Sequence, residues 1–243
     1  MVSDEKKQLN MKIAIIPARG GSKRIPGKNI KDFHGQPMIA YAIKNALDSQ
    51  LFDEVFVSTD DERIAEISKH YGAKVPVLRS SANSDDYATT SEVLLEVLEY
   101  FEKEQELPEL ACCIYATTPL LTAKDIMEAY QIYEQSSCEV LMSCVAYDFP
   151  IQRAFELDSN NYIHLKEPHL INQRSQDLPK YYHDAGAFYF FNPLSFKENK
   201  SLWKGKLGAY PINPLKVQDI DSVEDWKMAE IKFQLLINDK ATD

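Results

Sequence analysis

The stretch Lys12-Ile-Ala-Ile-Ile-Pro-Ala-Arg-Gly-Gly-Ser-Lys-Arg-Ile-Pro-Gly-Lys-Asn29 decides the reading of the whole chain. Its first five residues, Lys12 to Ile16, form a short and almost unbroken apolar run. Such a run suits a strand buried on both faces, as in a parallel sheet covered by helices. From Pro17 to Asn29 the chain becomes a loop rich in glycine, proline and cations.

The same rhythm repeats outward from this stretch. Pro37 suits the first position of a helix on which Ile39, Ala42, Ile43, Ala46 and Leu47 recur with helical spacing. Glu54–Ser58 reads as a strand. Asp60 or Asp61 can cap a following helix that carries Ile64, Ile67 and Tyr71 and ends at Gly72. Val75–Leu78 reads as a further short strand. Ser91–Glu104 places Leu94, Val97, Leu98 and Phe101 on one helical face, and Ala111–Tyr115 is a buried strand. Thr122-Ala-Lys-Asp125 resembles a capping box before a helix with Ile126, Ala129, Tyr130 and Tyr133. Glu139–Val145 is a strand again. Strands alternating with helices of ~10–15 residues mean an α/β fold, doubly wound on a mostly parallel, Rossmann-like sheet. Ligands of such sheets bind beyond the carboxyl ends of the strands, where Pro17–Asn29, Ser58–Asp61 and Thr117–Leu121 lie.

The rhythm breaks between Asp148 and Lys180, a polar stretch with Pro150, Pro168 and Pro179, which reads as a small inserted arm or flap. Regular structure resumes with Ala187–Phe191 and Leu207–Ile212. A last helix, opened by the capping-box pattern Ser222-Val-Glu-Asp225, carries Trp226, Ala229, Ile231 and Phe233. Residues 11–243 thus read as one domain. Residues 1–10 are polar, lack the apolar stretch of a signal peptide and read as a disordered lead-in.

Composition agrees. The chain has 243 residues, 44% hydrophobic and 26% charged, which excludes a disordered protein, a fibre and a disulfide miniature. The 37 acids against 27 bases give a net charge of -10, which argues against a nucleic-acid binder. Cys112, Cys113, Cys138 and Cys144 form no CxxC and read as small buried hydrophobes of a reducing cytoplasm. No apolar run approaches the ~20 residues of a membrane span.

Against that acidic background, Arg19, Lys23, Arg24 and Lys28 crowd one loop. Gly20, Gly21 and Gly27 let backbone approach a ligand, and successive N–H groups there can form an anion nest. A solvated basic turn is the plain alternative. The combination of strand, glycines and cations points instead to a polyanionic small ligand such as a nucleoside triphosphate. The loop is not a Walker A sequence, because Gly21 and Gly27 stand one residue too far apart and Asn29 replaces Ser or Thr. A second signal is Gln218-Asp-Ile-Asp221. Carboxylates at i and i+2 of an extended segment share a face, and two like charges held close invite a cation. Oxygen ligands in small number suit Mg²⁺ that also binds substrate phosphates. The alternative is that Asp221 or Ser222 caps the last helix.

The run Ile16–Asn29 closely resembles the first motif of the CMP-sialic acid synthetase family, cytidylyltransferases that activate nonulosonic acids. Arg79-Ser-Ser-Ala-Asn-Ser-Asp-Asp86 with Thr89 and Thr90, then Ala116-Thr-Thr-Pro-Leu120, resemble its next segments. Arg174 with Leu178-Pro179, Ala185–Tyr189, Gln218–Asp221 and Glu224-Asp-Trp226 carry the resemblance on to about Leu236. Tyr147–Phe155, Tyr182–Gly186 and the run from Gln218 to Met228 are most similar to the pseudaminic acid branch. Tyr115 stands where sialic acid enzymes carry a glutamine, His183 where arginine is common, and Ala185 replaces an asparagine. These departures suit a differently configured nine-carbon acid.

The resemblance implies transfer of CMP from CTP to the anomeric hydroxyl of a nonulosonic acid, with release of pyrophosphate. The alternatives are another acid sugar, legionaminate or N-acetylneuraminate, or a non-catalytic nucleotide-binding relative. It implies that Arg19, Gly20, Gly21, Ser22, Lys28, Asn29, Arg79 and Thr90 meet the nucleotide, and that Arg19, Lys28 and Asp221 act in catalysis. Asp219 and Asp221 would hold one or two Mg²⁺. Tyr115, Gln152, Arg174, His183 and Tyr189 fall on the sugar side, with Arg174 the candidate for the sugar carboxylate or, alternatively, a surface ion pair. Arg153 is a further sugar-side candidate. The segment 148–180 resembles the family's dimerisation arm, which completes the partner's sugar site, so a homodimer is expected; a flap within one subunit is the alternative.

Overall fold

The computed structural model describes residues 11–85, 87–104 and 107–240. The expected lead-in, residues 1–10, lies outside the described residues, as does Asp86. In chain order the elements are β1 (Lys12–Pro17), β2 (Asp32–Phe33), β3 (Gln36–Pro37), α1 (Met38–Asp48), β4 (Glu54–Ser58), α2 (Glu62–His70), α3 (Thr90–Glu104) and β5 (Leu110–Ile114). They continue with α4 (Ala123–Gln135), β6 (Val140–Ala146), β7 (Phe155–Leu157), β8 (Ile163–Leu165), β9 (Tyr182–Phe191), α5 (Pro193–Asn199), β10 (Leu207–Pro211) and α6 (Val223–Lys240).

Six strands form one sheet in the order β10-β6-β9-β5-β1-β4. β1 pairs in parallel with β4 and β5, and β10 with β6, whereas β9 runs antiparallel to both its neighbours. The alternation along β1 explains its unbroken apolar sequence. Ala14 and Ile16 join one core with α1, α2 and α4, while Ile13 and Ile15 join a second core with Leu94, Leu98 and Phe101 of α3 and with Phe196 of α5. A strand covered on both faces has no polar side to show.

Local signals work as the sequence suggests. Asp61 caps α2 by accepting from the amides of Arg63 and Ile64. Thr122 and Asp125 form a reciprocal capping box on α4. Ser222 Oγ accepts from the Asp225 amide at 3.2 Å while Asp225 Oδ2 accepts from the Ser222 amide at 2.8 Å. The expected strand Val75–Leu78 does not form; only Lys74 bridges to Phe56. Pro76 has no N–H to give a ladder, and Val77 and Leu78 face solvent. Ile231 likewise lies on the exposed side of α6, while Trp226 and Ala229 are buried.

A third core positions the functional loops. Ile25 from the cationic loop and Ile220 from the paired-aspartate segment both insert among Phe33, Met38, Tyr41, Trp226 and Ala229. Burying each isoleucine contributes about 1.5–3 kcal/mol. Those two anchors hold segments distant in sequence side by side. The stretch 148–180 stands apart, as the β7–β8 hairpin and three short 3-10 turns with mostly exposed side chains. Cys112, Cys113 and Cys144 are buried and Cys138 half-buried, all as free thiols. No helix among the described residues is long and apolar enough to cross a membrane.

Candidate active site

The cationic loop leaves the carboxyl end of β1 and is pinned from the neighbouring strand. The Gly20 N–H donates to Asp60 Oδ1 at 2.8 Å. A methyl group at Gly20 would stand 2.8 Å from Asp61 Cβ, so this approach of loop to helix start requires glycine. Gly27 turns the chain at φ 63° into a 3-10 turn, Lys28–Ile30. Buried Asn29 closes the loop by donating Nδ2 to the Arg19 carbonyl at 2.9 Å. Ser22 folds its amide back onto the Gly20 carbonyl. Arg19, Lys23, Arg24 and Lys28 line an open cleft of about 210 Å³ together with Tyr115, Thr117 and Asp221. Lys28 Nζ donates to the Ile220 carbonyl at 2.5 Å and to Asp221 Oδ1 at 3.4 Å, and Arg24 Nη2 reaches the same carboxylate oxygen at 2.9 Å. Four cations and one carboxylate leave this cleft strongly positive within a chain of net charge -10. It fits a polyanion.

A larger cleft of about 720 Å³ adjoins it and shares Tyr115 and Thr117. Tyr147, His183, Asp184, Tyr189, Asp219 and Lys232 also line it. Its floor comes from an irregularity in β9. Met142 pairs with Tyr189, but Cys144 pairs with Asp184, so residues 185–188 bulge opposite Ser143. Ser143 Oγ accepts the Phe188 amide at 3.1 Å and steadies the bulge. Bulges of this kind re-aim side chains beside ligand sites. Here Tyr189 donates its hydroxyl to Asp184 Oδ2, and Asp184 Oδ1 accepts the Gly186 amide at 3.0 Å. Burial, with Tyr115 and Asp184 beside it, pushes the Tyr189 phenol far up. The Tyr115 hydroxyl meets Thr90 Oγ1 at 2.9 Å, and burial pushes its pKa up to about 12. Both phenols are therefore neutral hydrogen-bonding groups at physiological pH. His183 faces the cleft, with its ring 4.8 Å from that of Tyr147 and Nδ1 2.8 Å from the Asp184 carbonyl.

Comparison with known proteins identifies the family. The model of the family described as Cytidylyltransferase matches residues 13–215. The chain belongs to the cytidylyltransferase family. A pseudaminic acid cytidylyltransferase of Campylobacter jejuni is 42% identical over 223 residues, which cover 92% of this chain and 96% of that protein. A CMP-N,N'-diacetyllegionaminic acid synthase of Legionella pneumophila is 30% identical over 92% of this chain and 96% of its own length. Among solved structures, a CMP:2-keto-3-deoxy-manno-octonic acid synthetase complexed with CTP aligns with a TM-score of 0.68, over 94% of this chain and 99% of that one. At 18% identity that likeness shows the shared fold.

In this cytidylyltransferase Asp219 and Asp221 stand between the clefts, Asp219 lining the larger and Asp221 the smaller. Burial and then the neighbouring Asp221 hold the Asp219 carboxyl above the usual carboxylate range. That strain is what a bound cation relieves. Among the described residues no three His, Cys, Asp or Glu side chains converge on a metal position. Two carboxylates facing a polyanion cleft fit a hard cation whose remaining ligands come from phosphate and water.

Other sequence candidates of the cytidylyltransferase sit elsewhere. Arg79 is buried; its Nε donates to Ser58 Oγ at 3.0 Å and its Nη2 to the Ser58 carbonyl, and it lines neither cleft. Gln152 is buried in the arm with Nε2 donating to the Pro179 carbonyl at 2.8 Å, and Arg153 Nη2 donates to the Gln173 carbonyl at 2.7 Å. Arg174 lies on the arm, largely exposed, with Nε 2.8 Å from Asp177 Oδ2. Thr90 lines a third hollow, shared with Tyr115 and Tyr189. A methyl group added at Gly21 would meet nothing within 4 Å, so the space beside it is open. The sequence assigns no individual site role to Asp60, Thr117, Asp148, Asp184 or Lys232. Asp184 lies inside the quoted Tyr182–Gly186 stretch and Thr117 inside Ala116–Leu120. Asp60 reads as a possible cap within the Ser58–Asp61 region at the ligand end of the sheet. Lys232 sits on a helix with no motif around it and gave no signal.

Proposed function

We propose that this chain transfers CMP from CTP to the anomeric hydroxyl of a nonulosonic acid, with pseudaminic acid as the sugar, and releases pyrophosphate. The observation that carries this reading is the junction of the two clefts at Tyr115 and Thr117, with Asp219 and Asp221 on either side. A nucleotide in the cationic cleft and an acid sugar in the larger one would meet there. The 42% identity to a pseudaminic acid cytidylyltransferase supports the choice of sugar.

In-line attack of the sugar hydroxyl on the α-phosphorus needs positioning and charge neutralisation more than covalent help. Arg19 and Lys28 bind the triphosphate and balance the charge that develops on pyrophosphate. Gly20, Gly21 and Ser22 present backbone and hydroxyl donors to it. Asn29 and Thr90 fix the nucleoside, while Arg79 acts from behind by holding the end of β4. Asp219 and Asp221 hold Mg²⁺, which when bound supplies polarisation of the α-phosphate oxygens. Tyr115, Tyr189 and His183 offer hydroxyl and imidazole contacts to the sugar. Gln152 and Arg174 serve through the arm, which we assign to the sugar cleft of a second subunit in a homodimer. The exposed apolar side chains Phe155, Leu157 and Ile163 of the arm support that assignment. We place the reaction in the cytoplasm, with CTP and Mg²⁺.

A substrate panel tests the reading. The purified protein is given CTP, Mg²⁺ and pseudaminic, N,N'-diacetyllegionaminic or N-acetylneuraminic acid, with pyrophosphate release and mass detection of the CMP-sugar. Pseudaminic acid is expected to give the highest kcat/KM. Preferred turnover of N-acetylneuraminate would overturn the choice of sugar, and no CMP-sugar from any acid would overturn the transferase reading.

A further inference from the structure

The larger cleft has an electrostatic composition at odds with an anionic substrate. Asp148, Asp184 and Asp219 all line it. Among the described residues, Lys232 is the single lysine or arginine that lines it. The cations of the loop line the other cleft, and Arg174 of the same chain lies out on the arm beside Asp177.

Lys232 enters from α6 and is held there. Its Nζ donates to the Val217 carbonyl at 2.6 Å and to the Pro214 carbonyl at 3.2 Å. An ammonium group carries three protons, so one remains for the cleft. The two carbonyls belong to the turn that leads directly into Gln218-Asp219-Ile220-Asp221. The charge is therefore fixed at the edge of the junction rather than free on a flexible stem. Burial also draws the Lys232 ammonium below the ordinary lysine value, with Asp148 opposing. A partly desolvated cation gains more from an incoming carboxylate than a surface lysine does.

We propose that Lys232 is the cation of this chain that binds the carboxylate of the acid sugar, and so helps the cleft select acid over neutral sugars. The proposal rests on the acid-sugar reading above. It assigns a binding residue to a position that carries no recognisable motif.

The test is a cycle between the lysine charge and the sugar carboxylate. Wild type and Lys232→Met are assayed with the acid sugar and with its neutral 1-carboxamide, using whichever acid of the panel wild type turns over best. With the acid, Lys232→Met is expected to raise KM by about 10-fold or more, while the KM for CTP stays within about twofold. With the carboxamide, wild type and variant should be alike. Lys232→Arg should restore most of the acid affinity. Lys232→Gln keeps N–H donors for the two carbonyls without the charge, and it should behave as the Met variant does even if the latter folds poorly. Equal losses on acid and carboxamide would overturn the proposal and leave Lys232 as a brace for the Pro214–Val217 turn. Wild-type turnover of none of the acids would overturn the acid-sugar reading and this assignment together.

Discussion

Asp221 carries a larger electrostatic load than any other single carboxylate at the junction. It accepts Lys28 and Arg24 while raising the proton affinity of Asp219. Replacing Asp221 with Asn keeps its size and removes its charge. Turnover at saturating Mg²⁺ is expected to fall by about 100-fold or more, the scale of losing one preorganised electrostatic contact at a reacting centre. The melting temperature should stay close to wild type, because Asp221 is partly exposed, its pair with exposed Arg24 adds little stability, and the Asn side-chain oxygen can still accept from the less exposed Lys28. Near-normal turnover would remove Asp221 from the metal assignment. At this scale the sequence is informative about residue type and poor on direction. Lys28 and Asp221 stand out because loop and Asp-x-Asp are each local patterns, and the fold brings the two side chains together. Arg79 has the right chemistry for a phosphate, yet the fold turns it onto Ser58. Gln152 is turned onto Pro179 in the same way. Only the tertiary packing of β4 and of the arm decides those directions, and no local pattern encodes it.

Among the elements, the cationic loop is the one whose shape depends on a contact with another element. Gly20 lies against the start of α2, where Asp60 takes its amide and Asp61 leaves no room for a Cβ. Gly20→Ala should push the loop away from α2, lose the Asp60 contact and misplace the amides meant for phosphate. The KM for CTP is expected to rise about 10-fold or more, with the sugar KM changed far less, since misplacement of a binding loop by ~1 Å is enough for such losses. Steady-state kinetics with each substrate varied in turn would check this, and an unchanged CTP KM would show that the loop does not need that approach. Element identities were readable wherever local chemistry sets them. The apolar run of β1 and the capping patterns at Asp61, Thr122 and Ser222 all correspond to observed features. Val75–Leu78 failed as a strand because one proline outweighs the apolar residues around it. The antiparallel course of β9 and its bulge were not readable, because register depends on which distant strands lie alongside.

At the scale of the whole molecule, the arm is the feature that a single chain does not explain. Phe149 is 84% exposed and Tyr162 69%, with Phe155, Leu157 and Ile163 also open to solvent. Apolar side chains grouped in this way on one projecting segment mark an interaction surface. Arg174 sits on the same segment and lines neither cleft of its own chain. If the arm reaches across a twofold axis, each active site, built from both clefts, takes Asp221 from one subunit and Arg174 from the other. Two inactive variants then become complementary. An Arg174→Ala subunit keeps its own Asp221 and receives Arg174 from an Asp221→Asn partner, which rebuilds one intact site per mixed dimer. Denaturing and refolding the two variants together at equal concentration should therefore restore about a quarter of wild-type activity, since random pairing makes half of the dimers mixed and each has one working site of two. Each variant refolded alone serves as the baseline, and sizing by light scattering establishes that dimers are present. Activity no higher than the mean of the two variants, in a sample shown to be dimeric, would mean that Arg174 works within its own chain or not at all.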